Sequence, residues 1–365
     1  MTNLHLAVAL DGAGWHPEAW RLADARPEEL FTARYWVDLV HEAEAGKLDF
    51  VTIEDSLGLQ SSSAGEVSGR LDAVLIASRV APVTRTVGLV PTATVTHTEP
   101  FHIAKAIATL DYVSNGRAGW RVQVSSKASE AEHFGRRTIS GRLDDSSVQA
   151  LFDEAADYVE VVRRLWDSWE EDAEIRDATT GRFIDREKLH YIDFDGKYFS
   201  VKGPSITPRP PQGQPVVTAL AHAEIPYRFA TLAADVVYVT PFSAEDVRRI
   251  VPRVPLRHVF GDLVVFLEPT SPGYAFEPFT SDAAIFSGTP AQLADQLLGW
   301  QEAGLTGFRL RPGRVPTDLR GITRGLVPEL QSRGVFRTDY EASTLRGLLG
   351  LERPANRYAE GARVA

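Results

Sequence analysis

The chain has 365 residues, 44 % of them hydrophobic and 24 % charged, with no cysteine, a composition that excludes disorder, disulfides, thiolate metal sites and a cysteine nucleophile. Its net charge of −10 argues against a nucleic-acid partner, since neutralising phosphates needs lysine and arginine gathered on one face. No window approaches the roughly 18 apolar residues of a membrane span, and Met1-Thr2-Asn3-Leu4-His5 has no basic flank before an apolar signal region, so a cytoplasmic protein with no membrane partner is expected.

Residues 4–10 alternate and are rich in Leu and Val, a first strand ended by Gly12, Gly14 and Pro17. Residues 15–27, with two tryptophans, read as an inserted loop. Helical spacing over 30–45 stops at Gly46, and the strand 50–53 finishes in Glu54-Asp55, adjacent carboxylates that either face a ligand or cap the next helix. After the Ser/Gly-rich loop 61–69 come a helix, 71–79, and a third strand, 87–91. That strand runs into the hydroxyl-rich Thr92, Thr94, Thr96 and then His97. Pro100 fits the first turn of the following helix. This helix runs to Tyr112 and is stopped by Asn115-Gly116, which accept left-handed backbone, and a fourth strand, 118–124, begins at once. Its end carries Arg121, Gln123, Ser125 and Ser126. Side chains at the carboxyl ends of parallel strands face the ligand site, so chemistry is expected there.

Val148, Leu151, Phe152, Ala155, Val159, Val162 and Trp166 recur at three- and four-residue steps, a long amphipathic helix. Residues 170–215 form a polar excursion in which 190–194 and 197–201 pair as a hairpin and five prolines hold the chain extended before a fifth strand, 216–220. A helix around 229–234 leads to strands at 236–239 and 263–267. Thr289-Pro290-Ala291-Gln292 has capping-box form and opens a helix to 303, and the last strand is 308–310. Eight strand–helix units predict a (β/α)8 TIM barrel with insertions after strands 1, 4 and 7, a single domain over 1–365 with a C-terminal extension at 335–365. The alternative is an open doubly wound sheet, against which no Gly-x-Gly-x-x-Gly follows the first strand.

Several stretches together resemble the bacterial luciferase-like flavin monooxygenases, in the branch of the nitrilotriacetate and dibenzothiophene-sulfone enzymes. They are Leu110-Asp111-Tyr112-Val113-Ser114-Asn115-Gly116-Arg117-Ala118-Gly119-Trp120, Leu165-Trp166-Asp167-Ser168-Trp169-Glu170, the run from Gly196 to Pro215 that ends in Pro210-Pro211-Gln212-Gly213-Gln214-Pro215, the run from Leu326 to Gly334 and the run from Thr344 to Leu351. The resemblance implies a luciferase-like barrel in a two-component system. A separate flavin reductase supplies FMN as FMNH2, which reacts with O2 to oxygenate a small-molecule substrate in a homodimeric enzyme. Carried over position by position, Asp55, Thr94, Thr96 and Ser125 match the family around the flavin ring. Arg121 stands where the family has Asn. Val148 and Phe152 replace a His and a Tyr. The phosphate loop falls on residues 219–226, where Ala223 replaces a serine, Pro226 a glycine, and Glu224 adds a negative charge. The chain is also shorter than the family between Val239 and Ser287, which implies a more open site.

Cofactor contacts are therefore expected from Asp55, Thr94, Thr96, Arg121, Gln123, Ser125 and His222. Arg121 either grips an oxyanion or pairs with Glu54 or Asp55 across neighbouring strands. Glu54 either serves as a buried base or is held ionised by Arg121. His97 faces substrate or is structural, and His222 either donates to a phosphate or is a hydrogen-bonded structural histidine. Glu54, His97 and Arg121 are the catalytic candidates, with no covalent nucleophile because the flavin carries the chemistry. Trp15, Trp20 and Trp120 either wall the ring or pack the core and lid. His5, His41, His133 and His190 lack paired ligand spacing, so no metal is expected. The functional alternative is the same barrel working as a deazaflavin-dependent oxidoreductase or as a non-catalytic ligand-binding paralogue.

Overall fold

The computed structural model describes residues 4–139, 141, 143–267, 278 and 280–359. Eight parallel strands close on themselves: β1 (His5–Leu10), β2 (Phe50–Ile53), β3 (Gly88–Thr94), β4 (Gly119–Gln123), β5 (Val216–Leu220), β6 (Val236–Val239), β7 (His258–Leu267) and β8 (Gly307–Pro312). Closure is made by β8 pairing with β1 in the register His5↔Gly307 and by β6 pairing with β7 in the register Val236↔His258. An extra strand, Ala284–Gly288, lies along the upper half of β7. The helices between them are α1 (Ala33–Ala45), α2 (Ala73–Val80), α3 (Pro100–Val113), α4 (Asp145–Asp167), α5 (Glu224–Ala233), α6 (Ala244–Ile250) and α7 (Pro290–Glu302). This is the expected (β/α)8 barrel. The loop after β1 carries two short 3-10 turns, Ala19–Arg21 and Pro27–Glu29, and the segment after β4 a five-residue helix, Ala128–Glu132. The expected insertion after the seventh strand falls largely on residues 268–277 and 279, and the tail of the C-terminal extension on 360–365, outside the described residues.

Because side chains alternate across each strand, every strand feeds two cores. Leu6, Val8, Val51, Leu89, Val217, Val237, Phe308 and Leu310 face the surrounding helices. Ala7, Phe50, Val90, Val216, Val236 and Phe260 fill the lower barrel, closed from below by Leu345 and Leu349. Above them the inward positions turn polar.

Several boundaries differ from the sequence expectation. β3 runs on to Thr94, as β-branched threonines suit the pleat. β7 begins at His258 rather than 263: Gly261 and Asp262 break its apolar run, yet a Cβ on Gly261 would meet Leu305 at 2.8 Å, so the strand requires glycine there. α5 starts at Glu224, with Pro226 in its first turn, where no intrahelical N–H is needed. The expected hairpin is shorter, Phe194–Asp195 against Ser200–Val201, and a second one, Glu174–Asp177 against Arg182–Ile184, precedes it.

Candidate active site

The polar upper layer of the barrel is a continuous ion-pair network. From β8, Arg309 donates Nε to Asp262 Oδ1 at 2.7 Å and Nη1 to Glu54 Oε1 at 3.0 Å. Arg311, two residues on, donates Nε to Asp262 Oδ2 at 3.0 Å and Nη1 to Asp282 Oδ1 at 2.6 Å. Arg121 on β4 places Nη1 3.0 Å from Glu54 Oε2 and donates it to Thr92 Oγ1 and Gln123 Oε1, both at 3.0 Å. The Arg309 guanidinium lies 4.2 Å over the Tyr238 ring and that of Arg311 lies 4.4 Å over Trp15, as cation–π contacts. Arg121, Arg309, Arg311, Glu54 and Asp262 are all buried.

These contacts bear on Glu54 directly. Burial by itself raises its pKa, but Arg121 and Arg309 outweigh burial and hold the carboxyl below its ordinary value. The two guanidinium groups beside Glu54 favour its ionised form, the second of the two alternatives the sequence offered. Arg121 is the partner it was alternatively expected to have.

Asp55 takes the capping alternative: its carboxylate accepts from Ala73 N at 2.9 Å, at the start of α2, and from Ser56 N at 2.8 Å. Thr96 Oγ1 accepts from Ser125 N at 2.9 Å, and Ser125 Oγ donates to Glu130 Oε2 at 2.6 Å, so these two tie the ends of β3 and β4 together. Thr94 is buried at the end of β3, and its carbonyl accepts from Thr98 Oγ1 at 2.7 Å. His97 is buried with φ 73°, stacked 5.4 Å from Phe134, with neither ring nitrogen hydrogen-bonded; burial and then Arg137 lower its pKa, which keeps the ring neutral. Of the tryptophans, Trp120 is fully buried in the outer core, Trp15 donates to Ala9 O at 3.1 Å beneath Arg311, and Trp20 donates to Gly65 O at 3.0 Å.

His222 goes elsewhere. It is exposed and lines a cleft of about 830 Å³ beside the ends of β4 and β5. The starts of α4 and α5 converge on this cleft. Its apolar wall includes Val124, Val148, Phe152 and Ile225; its polar groups include Ser126, Gln149 and Arg228. Ala223, the residue before α5, offers no side-chain cap, so the first-turn N–H groups of that helix have no intrahelical partner. Glu224 is ion-paired to Arg253.

A smaller cavity of about 130 Å³ lies over β1, lined by Asp11, Trp15 and Gln60. Burial raises the Asp11 carboxyl to about 6, with Arg70 opposing at 3.9 Å and Glu54 adding to the rise.

Sequence reading did not single out Asp262, Arg309, Arg311, Asp11 or Arg228. The alternation Gly307-Phe308-Arg309-Leu310-Arg311 carried the signal for two of them, since both arginines fall on one strand face. Asp262 was hidden because the expected strand began at 263, five residues after its true start at His258.

A closed parallel barrel with a wide cleft at the carboxyl ends of its strands is the arrangement of an enzyme that holds a small molecule. The sequence model described as luciferase-like monooxygenase matches residues 13–257, and the chain belongs to that family. It is 32 % identical to N-acetyl-S-(2-succino)cysteine monooxygenase of Bacillus subtilis (strain 168), covering 98 % of this chain and 99 % of that one. It is 30 % identical to nitrilotriacetate monooxygenase component A of Aminobacter aminovorans, covering 98 % of both. With the dibenzothiophene-sulfone monooxygenase of Rhodococcus erythropolis at 27 % identity over 92 % of this chain and 93 % of that one, these relatives place it in the expected branch, as an oxidoreductase of the monooxygenase class. The fold matches the crystal structure of a long-chain alkane monooxygenase with a TM-score of 0.84 at 24 % identity, covering 96 % of each chain.

Proposed function

We propose that this chain is the oxygenating component of a two-component monooxygenase, taking FMNH2 from a separate flavin reductase and using O2 to oxygenate a small organic molecule. The observation that carries the reading is the 830 Å³ cleft at the ends of β4 and β5, large enough for a flavin and lined by an apolar wall, by His222 and Arg228, and by the carboxylates of Asp145 and Glu224. Several residues of the cleft support binding of the cofactor. His222, Arg228 and the first-turn N–H groups of Glu224 and Ile225 would hold its anionic tail, in place of the serine and glycine absent at Ala223 and Pro226. Arg253 offsets the charge of Glu224 there. Bound reduced flavin supplies the two electrons that activate O2. Val148, Phe152 and Ile225 give the cleft an apolar wall against which a flavin ring would pack. Two relatives are named for substrates bearing several carboxylates, N-acetyl-S-(2-succino)cysteine and nitrilotriacetate, which favours a small carboxylate-bearing substrate here. The reading includes a homodimer, which rests on the family resemblance alone, and a single-domain cytoplasmic chain, as the sequence leads one to expect.

The test is anaerobic titration with FMNH2, oxidised FMN and a reduced deazaflavin, for the wild type and for the double variant His222→Ala, Arg228→Ala. Tight FMNH2 binding, weakened about tenfold in the variant, is expected from the loss of charge-assisted bonds to the tail. Preference for the deazaflavin would replace the cofactor in this reading. No binding of any flavin would overturn it and leave a non-catalytic paralogue.

A further inference from the structure

Within the buried part of the ion-pair network the cations outnumber the anions. Three buried guanidinium groups, Arg121, Arg309 and Arg311, share two buried carboxylates, Glu54 and Asp262; the remaining anion, Asp282, is 48 % exposed and bound to Arg311. Arg309 and Arg311 both grip Asp262 through Nε. Arg121 grips no carboxylate that way. Its bonds to Thr92 and Gln123 and its contact with Glu54 all run through Nη1. Its Nε is buried without a partner, and Nη2 donates no hydrogen bond among the described residues. The free edge, Nε–H beside Nη2–H, is the edge with which a guanidinium takes a carboxylate in two parallel bonds. The three arginines also differ in basicity. Burial opposes the charge of all of them, but for Arg309 and Arg311 neighbouring carboxylates more than compensate and the pKa is raised, whereas for Arg121 burial prevails over Glu54 and the pKa is lowered. Arg121 is the under-compensated cation of the set.

We propose that Arg121 is a built anion fork, held by Thr92, Gln123 and Glu54 so that its Nε–Nη2 edge receives a planar oxyanion at the carboxyl end of β4. Two sources share that chemistry, a carboxylate of the substrate and the anionic pyrimidine edge of a reduced flavin. Only the second rests on the function proposed above. A buried N–H left without a partner costs free energy that a bound oxyanion returns, so the fork favours an anion over a neutral ligand of the same shape.

The experiment compares wild type, Arg121→Gln and Arg121→Lys, each checked for native far-ultraviolet circular dichroism. Calorimetry measures succinate binding, and anaerobic titration measures reduced and oxidised FMN. In the Gln variant Glu54 keeps its bond from Arg309, and in the Lys variant the charge is kept while the two-donor edge is lost. If the occupant is the reduced flavin, both variants lower the reduced-to-oxidised affinity ratio by about tenfold and leave succinate unchanged. If it is a substrate carboxylate, both lower succinate affinity by about tenfold and leave the flavin ratio unchanged. Folded variants that keep every affinity within about twofold overturn the fork, as does a Lys variant that binds like the wild type. A wild type that binds succinate but no flavin removes the functional reading and leaves the fork standing. One that binds neither removes the fork too.

Discussion

Asp262 is the residue on which the upper barrel depends most heavily. It is fully buried and receives Nε of Arg309 at 2.7 Å, Nε of Arg311 at 3.0 Å and a second nitrogen from each. Asp262→Asn keeps the shape, removes the charge and turns an amide NH2 toward guanidinium donors. Two buried cations are then left with Glu54 and the half-exposed Asp282 as their remaining anions. Breaking a buried pair by removing one partner costs about 3–5 kcal/mol, and with an m-value of about 3 kcal/mol/M the urea midpoint falls by about 1 M or more. Arg311→Met in the same chain removes one uncompensated cation, so the double variant should lose about 1–2 kcal/mol less than the sum of the single changes. The measurement is urea unfolding followed by tryptophan fluorescence and circular dichroism, with coincident transitions and unchanged m. A midpoint for Asp262→Asn within about 0.3 M of wild type, roughly 1 kcal/mol, would show that water reaches the guanidinium groups and that the upper barrel is not sealed.

Two further outcomes separate scaffold from site. Arg117, at the amino end of β4, donates to the carbonyl oxygens of Ser114, Val87, Ala81 and Thr84 and to Thr84 Oγ1, so Arg117→Met should cost about 3–5 kcal/mol in urea unfolding while leaving ligand affinities unchanged; a change in affinity with unchanged stability would contradict that division. Asp11 has a folded-state pKa of about 6 against an ordinary value of 3.8, so its ionisation opposes folding above pH 6 and that penalty disappears as pH falls to 4. Asp11→Asn should therefore stabilise the protein by about 1–2 kcal/mol at pH 8 and by nothing near pH 4, read from thermal midpoints across that range; equal effects at both ends would remove the argument.

The chain's periodicity determined the barrel. Period-two runs gave the faces of the strands, the three- and four-residue steps gave α4, and Asn115-Gly116 gave the junction between α3 and β4. The stretches that carry the family resemblance were legible for a second reason, which the tertiary structure explains: four of them, all but the run from Leu326 to Gly334, pack on one another at the amino ends of the strands. Asp111 accepts from Gln212 N and Nε2 and from Ala118 N; Arg346 donates its backbone N–H to Gln212 Oε1; Asp167 binds Arg209. Those contacts hold the scaffold, so a chain can match the family there while its ligand-facing residues diverge.

The site was less legible. Alternation showed that Arg121 and Gln123 share the inner face of β4, but it left open which charge Arg121 would meet. Glu54 and Arg309 are 255 residues apart, and Arg309 and Asp262 are 47 apart. They meet because β8 closes on β1 and β7, a pairing that local sequence does not encode. His222 could be read as a loop residue, but its place on the cleft followed only from α5 starting at Glu224 and turning its first residues toward the start of α4. The sequence by itself determined which face each side chain takes, since that depends on neighbours a few residues away. Only the tertiary structure decided the partners of the buried charges, because in a barrel those are set by closure and register between strands far apart in the chain.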